Sequence, residues 1–277
     1  MTQQQTLQHS ATITGIGVHS GDTVTLTLHS APENTGIVFR RMDLNPIVEI
    51  PAHIDYLGNT DLCTCLKKGN VQIATIEHLL SAFSGLGIDN GYVDLTSTEL
   101  PIMDGSAKPF VDLIQKTGIK KQNLKRNYFR VQKMIEVREG DQLVRLEPYD
   151  GFQIHFSIDF KHPVIANTQQ SICMDVTLEN YIEKIAHART FGFLSDYEAM
   201  RAKNCARGAN LENTIVIDDN KVMNKEGLRT PNEFIQHKVL DVIGDLYLLG
   251  RPLLAKFTGV KSGHALNSRL LKKLLAN

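Results

Sequence analysis

The sequence is poor in cysteine and has no long apolar run among its 277 residues. Its four cysteines, Cys63, Cys65, Cys173 and Cys205, are too few for a disulfide framework, and one residue between Cys63 and Cys65 is not the spacing of a zinc knuckle or redox motif. We interpret them as buried or free reduced thiols. No stretch approaches the roughly 20 apolar residues of a membrane-spanning helix, and no secretory signal is visible, which predicts a cytoplasmic protein.

An excess of charge of either sign is also absent. Thirty Lys and Arg balance thirty Asp and Glu, so the electrostatic footprint of a non-specific nucleic-acid or anionic-membrane binder is missing. The chain contains no P-loop and no His-Glu-x-x-His motif. The glycine-rich stretch 15–21 leads into a strand pattern rather than a helix, which argues against phosphate cradling.

Strand and helix patterns alternate through two halves of the chain. Period-2 alternation at 23–28 predicts a strand, and a further strand is predicted at 11–15. Polar, basic residues at 120–127 separate the halves, so we predict two similar α+β units, residues 1–122 and 128–277. Helices are predicted near 76–87, from the turn at 101–106 to about 117, and at 178–188, 232–249 and 265–275, with a strand at 253–260.

The long helix at 232–249 carries a segregated polar stripe. Phe234, His237, Lys238, Asp241 and Asp245 fall within one arc of about 100°, opposite an apolar face. The i, i+4, i+8 spacing of His237, Asp241 and Asp245 places successive side chains about 6 Å apart along that face. An imidazole and a carboxylate one turn apart can bind one cation, although a solvated helix face would look the same.

A second histidine opens the earlier helix with the same Ile-x-His pattern. Thr75 is the predicted N-cap, and the apolar stripe leaves His78 on the face of Ser81, Ala82 and Gly85. Because these neighbours are small, a second surface could approach closely. We take that surface to be the helix that carries His237.

Together, these residues compose a candidate catalytic zinc site. His78, His237 and Asp241 would supply three ligands and leave a fourth position for water. Glu77, about 100° round the helix, could accept a proton from that water, or could be a first-turn Glu that favours the helix dipole. His264, in the loop 261–264, is a general-acid candidate that an Asp such as Asp245 could orient.

These motifs resemble one family, the UDP-3-O-acyl-N-acetylglucosamine deacetylases, zinc amidohydrolases of lipid A biosynthesis in Gram-negative bacteria. The matching segments run in family order through nearly the whole chain: Thr14-Gly15-Ile16-Gly17-Val18-His19-Ser20-Gly21, Thr75-Ile76-Glu77-His78-Leu79, Gly87-Ile88-Asp89-Asn90, Pro101-Ile102-Met103-Asp104-Gly105-Ser106, Ala188-Arg189-Thr190-Phe191-Gly192-Phe193, Glu233-Phe234-Ile235-Gln236-His237-Lys238-Val239-Leu240-Asp241 and Lys261-Ser262-Gly263-His264-Ala265-Leu266-Asn267.

The resemblance assigns roles to catalytic residues. It implies one Zn²⁺ per chain, or Fe²⁺ in the cell, held by the three ligands above, with Glu77 as general base. It implies His264 as general acid beside Asp245, Thr190 as oxyanion stabiliser and Lys238 as a further electrostatic contributor.

The resemblance also implies a fold and a substrate site. The fold would be two α+β sandwich domains of the ribosomal S5 domain 2-like kind, packed through their helices, with a small sheet inserted near 40–60 and a strand-helix-strand insert near 193–225. The second insert would form an apolar acyl-chain passage. The implied substrate contacts are Phe191 and Phe193 for the acyl chain, Asp159, Phe160 and Lys261 on the nucleotide side, and Val18 and His19, where Val18 replaces the usual Leu.

The predicted function is zinc-dependent removal of the N-acetyl group from a UDP-linked, 3-O-acylated N-acetylglucosamine. A zinc amidohydrolase acting on another acetylated sugar is the first alternative. A non-enzymatic RNA-binding module is the second, since α+β sandwiches also occur in ribosomal proteins, but zero net charge argues against it. We expect a monomer that binds no nucleic acid and does not insert stably in a membrane, with peripheral membrane contact compatible with a lipid pathway.

Overall fold

The computed structural model describes residues 2–276, and the chain combines several β-sheets with seven α-helices in that range. The first half contains β1 (Gln3–Leu7), β2 (Ala11–Ile16), β3 (Thr23–Ser30), β4 (Ile37–Arg41), β5 (Val48–Pro51), β6 (Leu66–Lys68), β7 (Val71–Ile73), α1 (Glu77–Leu86), β8 (Gly91–Leu95), α2 (Lys108–Thr117) and β9 (Ile119–Lys125). The second half contains β10 (Phe129–Arg130), β11 (Ile135–Glu139), β12 (Gln142–Glu147), β13 (Phe152–Ser157), α3 (Pro163–Ala166), β14 (Ser171–Asp175), α4 (Leu178–Lys184), β15 (Phe191–Phe193), α5 (Leu194–Ala202), β16 (Ile215–Ile217), α6 (Glu233–Leu246), β17 (Leu253–Val260) and α7 (His264–Leu275). The predicted α+β class is confirmed.

The two main sheets share one topology. Their strand orders are β2-β3-β8-β4-β5 and β11-β12-β17-β13-β14, with β10 also paired to β17. In each sheet the last strand in sequence lies at the centre, parallel to one neighbour and antiparallel to the other. Alternation explains the burial of one face: Val24, Leu26 and Leu28 of β3 are buried, whereas the intervening threonines are not. The chain thus repeats one α+β unit.

Helices α1 and α6 occupy equivalent places in the two units and pack against each other. Each comes directly before its central strand, β8 or β17. Their backbones approach so closely that a Cβ added at Gly244 of α6 would lie 2.1 Å from the carbonyl oxygen of Glu77. Only glycine permits that approach, which brings the first turn of α1 against the C-terminal half of α6.

Three two-stranded sheets, β1-β9, β6-β7 and β15-β16, stand apart from the main ones. Strands β6 and β7 form an antiparallel pair at 66–73, later in the chain than the small sheet expected near 40–60. Strand β5 instead extends the five-stranded sheet by pairing with β4, because Ile50 is fully buried in the core. In the second half, β15, α5 and β16 form a strand-helix-strand excursion in which the two strands pair in parallel.

The sequence pattern missed strand β9 and assigned a wrong cap to α1. Residues 119–125, expected to begin a linker, pair antiparallel with β1. Backbone pairing at this exposed edge needs no apolar alternation, so the strand left no signal. The predicted boundaries of the two units stay predictions. Thr75 does not cap α1: its φ is 58°, its hydroxyl donates to Glu99, and α1 begins after Ile76 without a side-chain cap.

Replacing Gly244 tests the helix contact. Gly244→Ala should lower the free energy of unfolding by about 1–3 kcal/mol, because the added methyl group would force α1 and α6 apart. Urea unfolding measures the change. Gly192→Ala is the matched control, since a Cβ there meets nothing within 4 Å and should change stability by only about 0.5 kcal/mol. Equal stabilities for the two variants would contradict the close contact.

Candidate metal centre and active site

The polar stripe of α6 is buried rather than solvated. His237, Asp241 and Asp245 are each 5 % exposed or less, because α1 covers the face on which they lie. Lys238 is partly exposed at the edge of the same face. A solvated helix face, the alternative left open by the spacing, is therefore wrong for this helix.

His78 of α1 completes a cluster of three potential ligands. The rings of His78 and His237 meet edge to face with centroids 5.1 Å apart. Asp241 Oδ1 lies 3.4 Å from His237 Nε2 and 3.8 Å from His78 Nε2. One ligand atom from each of the three residues lies within 4.8 Å of the others, so a single ion could contact all three. The two segments expected to meet do so.

The two imidazoles have the protonation state that a metal ligand needs. Burial, reinforced by His237, lowers the pKa of His78 to about 3. Burial also lowers the pKa of His237, against the opposing charge of Asp241. His237 Nδ1 donates a hydrogen bond of 3.0 Å to the carbonyl of Ala188, which leaves Nε2 free of a proton and directed at the cluster.

Asp241 supplies the single negative charge of the cluster. Burial opposes its ionisation, but His237 and Lys238 hold the pKa of the carboxyl below its ordinary value. Lys238 Nζ donates to Asp241 Oδ2 over 3.0 Å, on the carboxylate oxygen opposite the one nearest the histidines. Two neutral imidazoles and one carboxylate fit a divalent ion of borderline softness.

Glu77 lies beside this cluster without belonging to it. Its carboxylate is buried; Oε2 accepts a hydrogen bond of 3.0 Å from the backbone N–H of Thr64, and Oε1 lies 3.9 Å from His264 Nε2. Burial raises the pKa of Glu77 well above its ordinary value. A carboxylate with raised pKa is a stronger base, which suits proton transfer near neutral pH.

His264 and Asp245 form a hydrogen-bonded pair. His264 begins α7, and its Nδ1 donates to Asp245 Oδ2 over 2.9 Å. Burial opposes protonation of His264, but the charge and hydrogen bond of Asp245, together with Glu77, raise its pKa to about 10. The imidazole therefore carries a proton at neutral pH and presents Nε2 towards Glu77.

Thr64 and Asn267 are two further residues of the site that no sequence pattern identified as functional. The Asp245 carboxylate accepts hydrogen bonds from the Thr64 hydroxyl at 2.6 Å and from Asn267 Nδ2 at 2.8 Å. Asn267 stands in a quoted motif, but Thr64 lies in a loop between two short elements, where no periodicity marks it.

Thr190 lies next to the segment whose carbonyl group accepts the hydrogen bond from His237. Its N–H donates to Gly105 of the first half and its carbonyl accepts from Ile215 N, so both halves of the chain fix its backbone. It lies two residues after Ala188, the hydrogen-bond partner of His237. The ring of Phe191 comes next, 6.4 Å from His237 and 5.6 Å from Lys238 Nζ.

The predicted substrate contacts separate into three groups. Phe160 packs on Phe191 and Phe193, with ring centroids 5.7 and 6.2 Å apart. Asp159 and Lys261 form an exposed ion pair of 2.6 Å, and hydrogen bonds from Lys161 and Lys261 lower the pKa of Asp159 to about 2.

Val18 and His19 lie apart from this aromatic group and contact the insert. The carbonyl of Val18 accepts from Gly208 N, and His19 Nδ1 accepts from Ala206 N over 3.4 Å. His19 also lines a cavity of about 700 Å³ together with Cys63 and Cys205.

The insert encloses an apolar cavity of about 230 Å³ beside the aromatic group. Its lining includes Phe193, Leu194, Tyr197, Met200, Leu211 and Val216. Exposed apolar side chains, Leu194, Tyr197 and Leu211 among them, extend the same surface to solvent. The cavity runs from the ring of Phe193, so it joins the cluster of aromatic residues to the outside of α5.

A buried cluster of two histidines and an aspartate lies beside the carboxylate of Glu77 and the imidazole of His264. This arrangement defines a candidate metal-dependent hydrolase. Within residues 2–276, no helix has the length and apolar character needed to cross a bilayer.

The chain belongs to the family LpxC, UDP-3-O-acyl N-acetylglycosamine deacetylase, whose model matches residues 4–276. It is similar to the UDP-3-O-acyl-N-acetylglucosamine deacetylase of Coxiella burnetii (strain CbuK_Q154), with 56 % identity over 276 residues, 100 % of this chain and 91 % of the relative. The enzyme of the same name from Legionella pneumophila (strain Corby) is 54 % identical over 275 residues, covering 99 % of this chain and 90 % of the relative. The family recognised from the sequence motifs is confirmed.

Substituting a ligand should separate metal binding from the neighbouring carboxylate. His78→Ala should lose the divalent ion, because only two ligands remain, whereas Glu77→Gln should retain it. Elemental analysis of the dialysed proteins, with activity in parallel, measures both; each variant should lose most of its turnover. Retention of one ion per chain by His78→Ala would contradict the assignment of this cluster.

Proposed function

We propose that this chain carries out its family's deacetylation with the residues gathered between α1 and α6. The reaction is hydrolysis of the N-acetyl group of a UDP-linked, 3-O-acylated N-acetylglucosamine, a step of lipid A biosynthesis, which releases acetate and leaves an amine. One observation carries the proposal: a potential ion site at His78, His237 and Asp241 adjoins the buried Glu77 carboxylate, which lies 3.9 Å from the imidazole of His264. Metal-assisted amide hydrolysis uses these three functions together.

The ion proposed for the site is zinc, one per chain, held by His78, His237 and Asp241. Two neutral imidazoles and a carboxylate suit Zn²⁺, and Fe²⁺ can occupy the same donors. When bound, the ion supplies Lewis-acid polarisation of the acetamide carbonyl and of the attacking water. The rest of the chemistry belongs to side chains.

Glu77 is the proposed general base. It takes a proton from water as the water oxygen forms its bond to the acetamide carbon. Its carboxylate is oriented by the N–H of Thr64, and its burial favours accepting the proton. The resulting tetrahedral oxyanion would be stabilised by the Thr190 hydroxyl and by the positive charge of Lys238.

His264 is the proposed general acid. As the C–N bond breaks, its Nε2 proton passes to the departing nitrogen, so the products are acetate and the free amine of the sugar. Asp245 holds Nδ1 and thereby keeps Nε2 directed at the reacting atoms. To complete the cycle, Glu77 releases its proton, His264 takes one up, and the product acid loses a proton to solvent as acetate.

The apolar cavity of the insert is the proposed passage for the 3-O-acyl chain. Phe191 and Phe193 lead from the vicinity of His237 to this cavity. Phe160, Asp159 and Lys261 are proposed contacts on the nucleotide side, and Val18 and His19 are proposed to bind substrate beside the insert. A cytoplasmic location, a monomeric state and peripheral membrane contact stay predictions of the sequence.

Removing the acyl chain from the substrate tests this function. Each buried methylene contributes about 0.8 kcal/mol, so loss of even about four should lower kcat/KM by about a hundredfold or more. Acetate release from the acylated and non-acylated nucleotide sugars measures the ratio. Equal values would favour an amidohydrolase for another acetylated sugar, because the cavity would then have no role in binding.

The pH dependence of turnover tests the acid. Turnover should fall as the pH rises through the pKa of His264, which Asp245 raises towards about 10. Asp245→Asn removes that charge and should move the alkaline limb to lower pH by about one pH unit or more. Glu139→Gln, which changes an exposed carboxylate paired with Arg269, is the control and should leave the limb in place. An unmoved limb in Asp245→Asn would contradict the role of His264.

A further inference from the structure

Thr64 links the two groups proposed to move protons. Its backbone N–H donates to Glu77 Oε2 over 3.0 Å, and its hydroxyl donates to Asp245 Oδ1 over 2.6 Å. Its carbonyl accepts a hydrogen bond of 3.3 Å from the N–H of Ile76, the residue before α1. One residue thus contacts the base, the partner of the acid and the beginning of the helix that carries the base.

Because Thr64 is buried, its polar groups can form hydrogen bonds only with these protein partners. Its side chain and backbone are fully buried, so no water can replace a lost partner. Leaving a buried polar group unpaired is unfavourable, and more so for a charged group such as the Asp245 carboxylate. The hydroxyl therefore has one effective direction, towards Asp245.

The loop around Thr64 is held by packing on both sides. Cys63 and Cys65 are buried with their sulfur atoms 3.6 Å apart. A hydrogen bond to Cys65 and burial raise the pKa of the Cys63 thiol, so Cys63 stays protonated and packs the loop rather than acting as a nucleophile. Thr64 cannot shift without disturbing this packing.

Asp245 depends on Thr64 for its orientation. Three donors hold its carboxylate, namely Thr64, His264 and Asn267, and Thr64 alone comes from the first half of the chain. Without that hydroxyl, Oδ1 would keep only its 3.0 Å contact to His264 Nδ1 and the carboxylate could rotate. The imidazole would then lose its fixed direction.

We propose that Thr64 is a positioning residue that fixes the Asp245–His264 pair relative to Glu77, so that proton acceptance from water and proton donation to the departing nitrogen take place at the same amide group. The inference rests on the roles proposed above for Glu77 and His264. Because Thr64 does not face the acyl cavity or the exposed Asp159–Lys261 pair, its contribution belongs to kcat rather than to substrate binding.

The test compares variants that differ in one hydroxyl. Thr64→Val keeps the shape and the backbone N–H but removes the donor, and should lower kcat about tenfold to a hundredfold with KM changed by less than about twofold. Thr64→Ser restores the hydroxyl and should recover most of kcat. Thr6→Val is the matched control: it removes a buried hydroxyl that bonds Asn90 far from the site, and should leave kcat unchanged.

A second background separates this inference from the assignment of the acid. In a His264→Gln protein, Thr64→Val should cause no further loss of kcat, because the group through which it acts is gone. The same fractional loss in both backgrounds, or failure of Thr64→Ser to recover activity, would overturn the positioning role. If His264→Gln itself keeps near-normal kcat, the proposed acid is wrong, and a large Thr64→Val effect would then require another target.

Discussion

The contact between α1 and α6 is the constraint on which the site depends. His78 and Glu77 belong to one helix, and His237, Asp241 and Asp245 belong to the other, so neither half of the chain contains the chemistry alone. Gly244 sets how closely the two backbones approach, and therefore the distance of about 4 Å between ligand atoms. Replacement of this contact by a looser one would separate the ligands even if both halves stayed folded.

Burial in that contact also sets the electrostatics of the site. Burial lowers the pKa of the His78 and His237 imidazoles and so favours their neutral forms. Burial would raise the pKa of Asp241, but its cationic neighbours lower it, so the carboxyl stays ionised. Burial raises the pKa of Glu77, whereas the pKa of His264 is raised against the effect of burial by the charges of Asp245 and Glu77. The proposed base accepts a proton readily and the proposed acid retains one. Both lie in the same buried environment and differ in their nearest charged partners.

Much of this arrangement was predictable from sequence because it is periodic. The spacing of His237, Asp241 and Asp245 follows from helix geometry, and the repeated Ile-x-His pattern pointed to the partner helix. The loop position of His264 made it a general-acid candidate, and the family resemblance supplied a role for Thr190, which no periodicity marks. Thr64 was out of reach, since it lies in a loop whose position is fixed only by tertiary contacts. Strand β9 was not predicted for a related reason: its pairing uses backbone groups and its side chains are mostly exposed.

The internal repeat explains why two more loops border the site. Helices α2 and α7 follow equivalent central strands, so the loops before them are equivalent as well. The loop before α7 leads to His264, which pairs with Asp245. The loop before α2 contacts the segment around Thr190: the carbonyl of Gly105 accepts a hydrogen bond from the N–H of Thr190, and Asp104 forms an ion pair of 2.9 Å with Arg229. Repetition of one α+β unit thus supplies symmetric positions around the α1–α6 contact, and the side chains at those positions differ, with the proposed acid on one side and the proposed oxyanion contact on the other. A symmetric scaffold can hold an asymmetric reaction because only the side chains, and not the topology, need to differ between the halves.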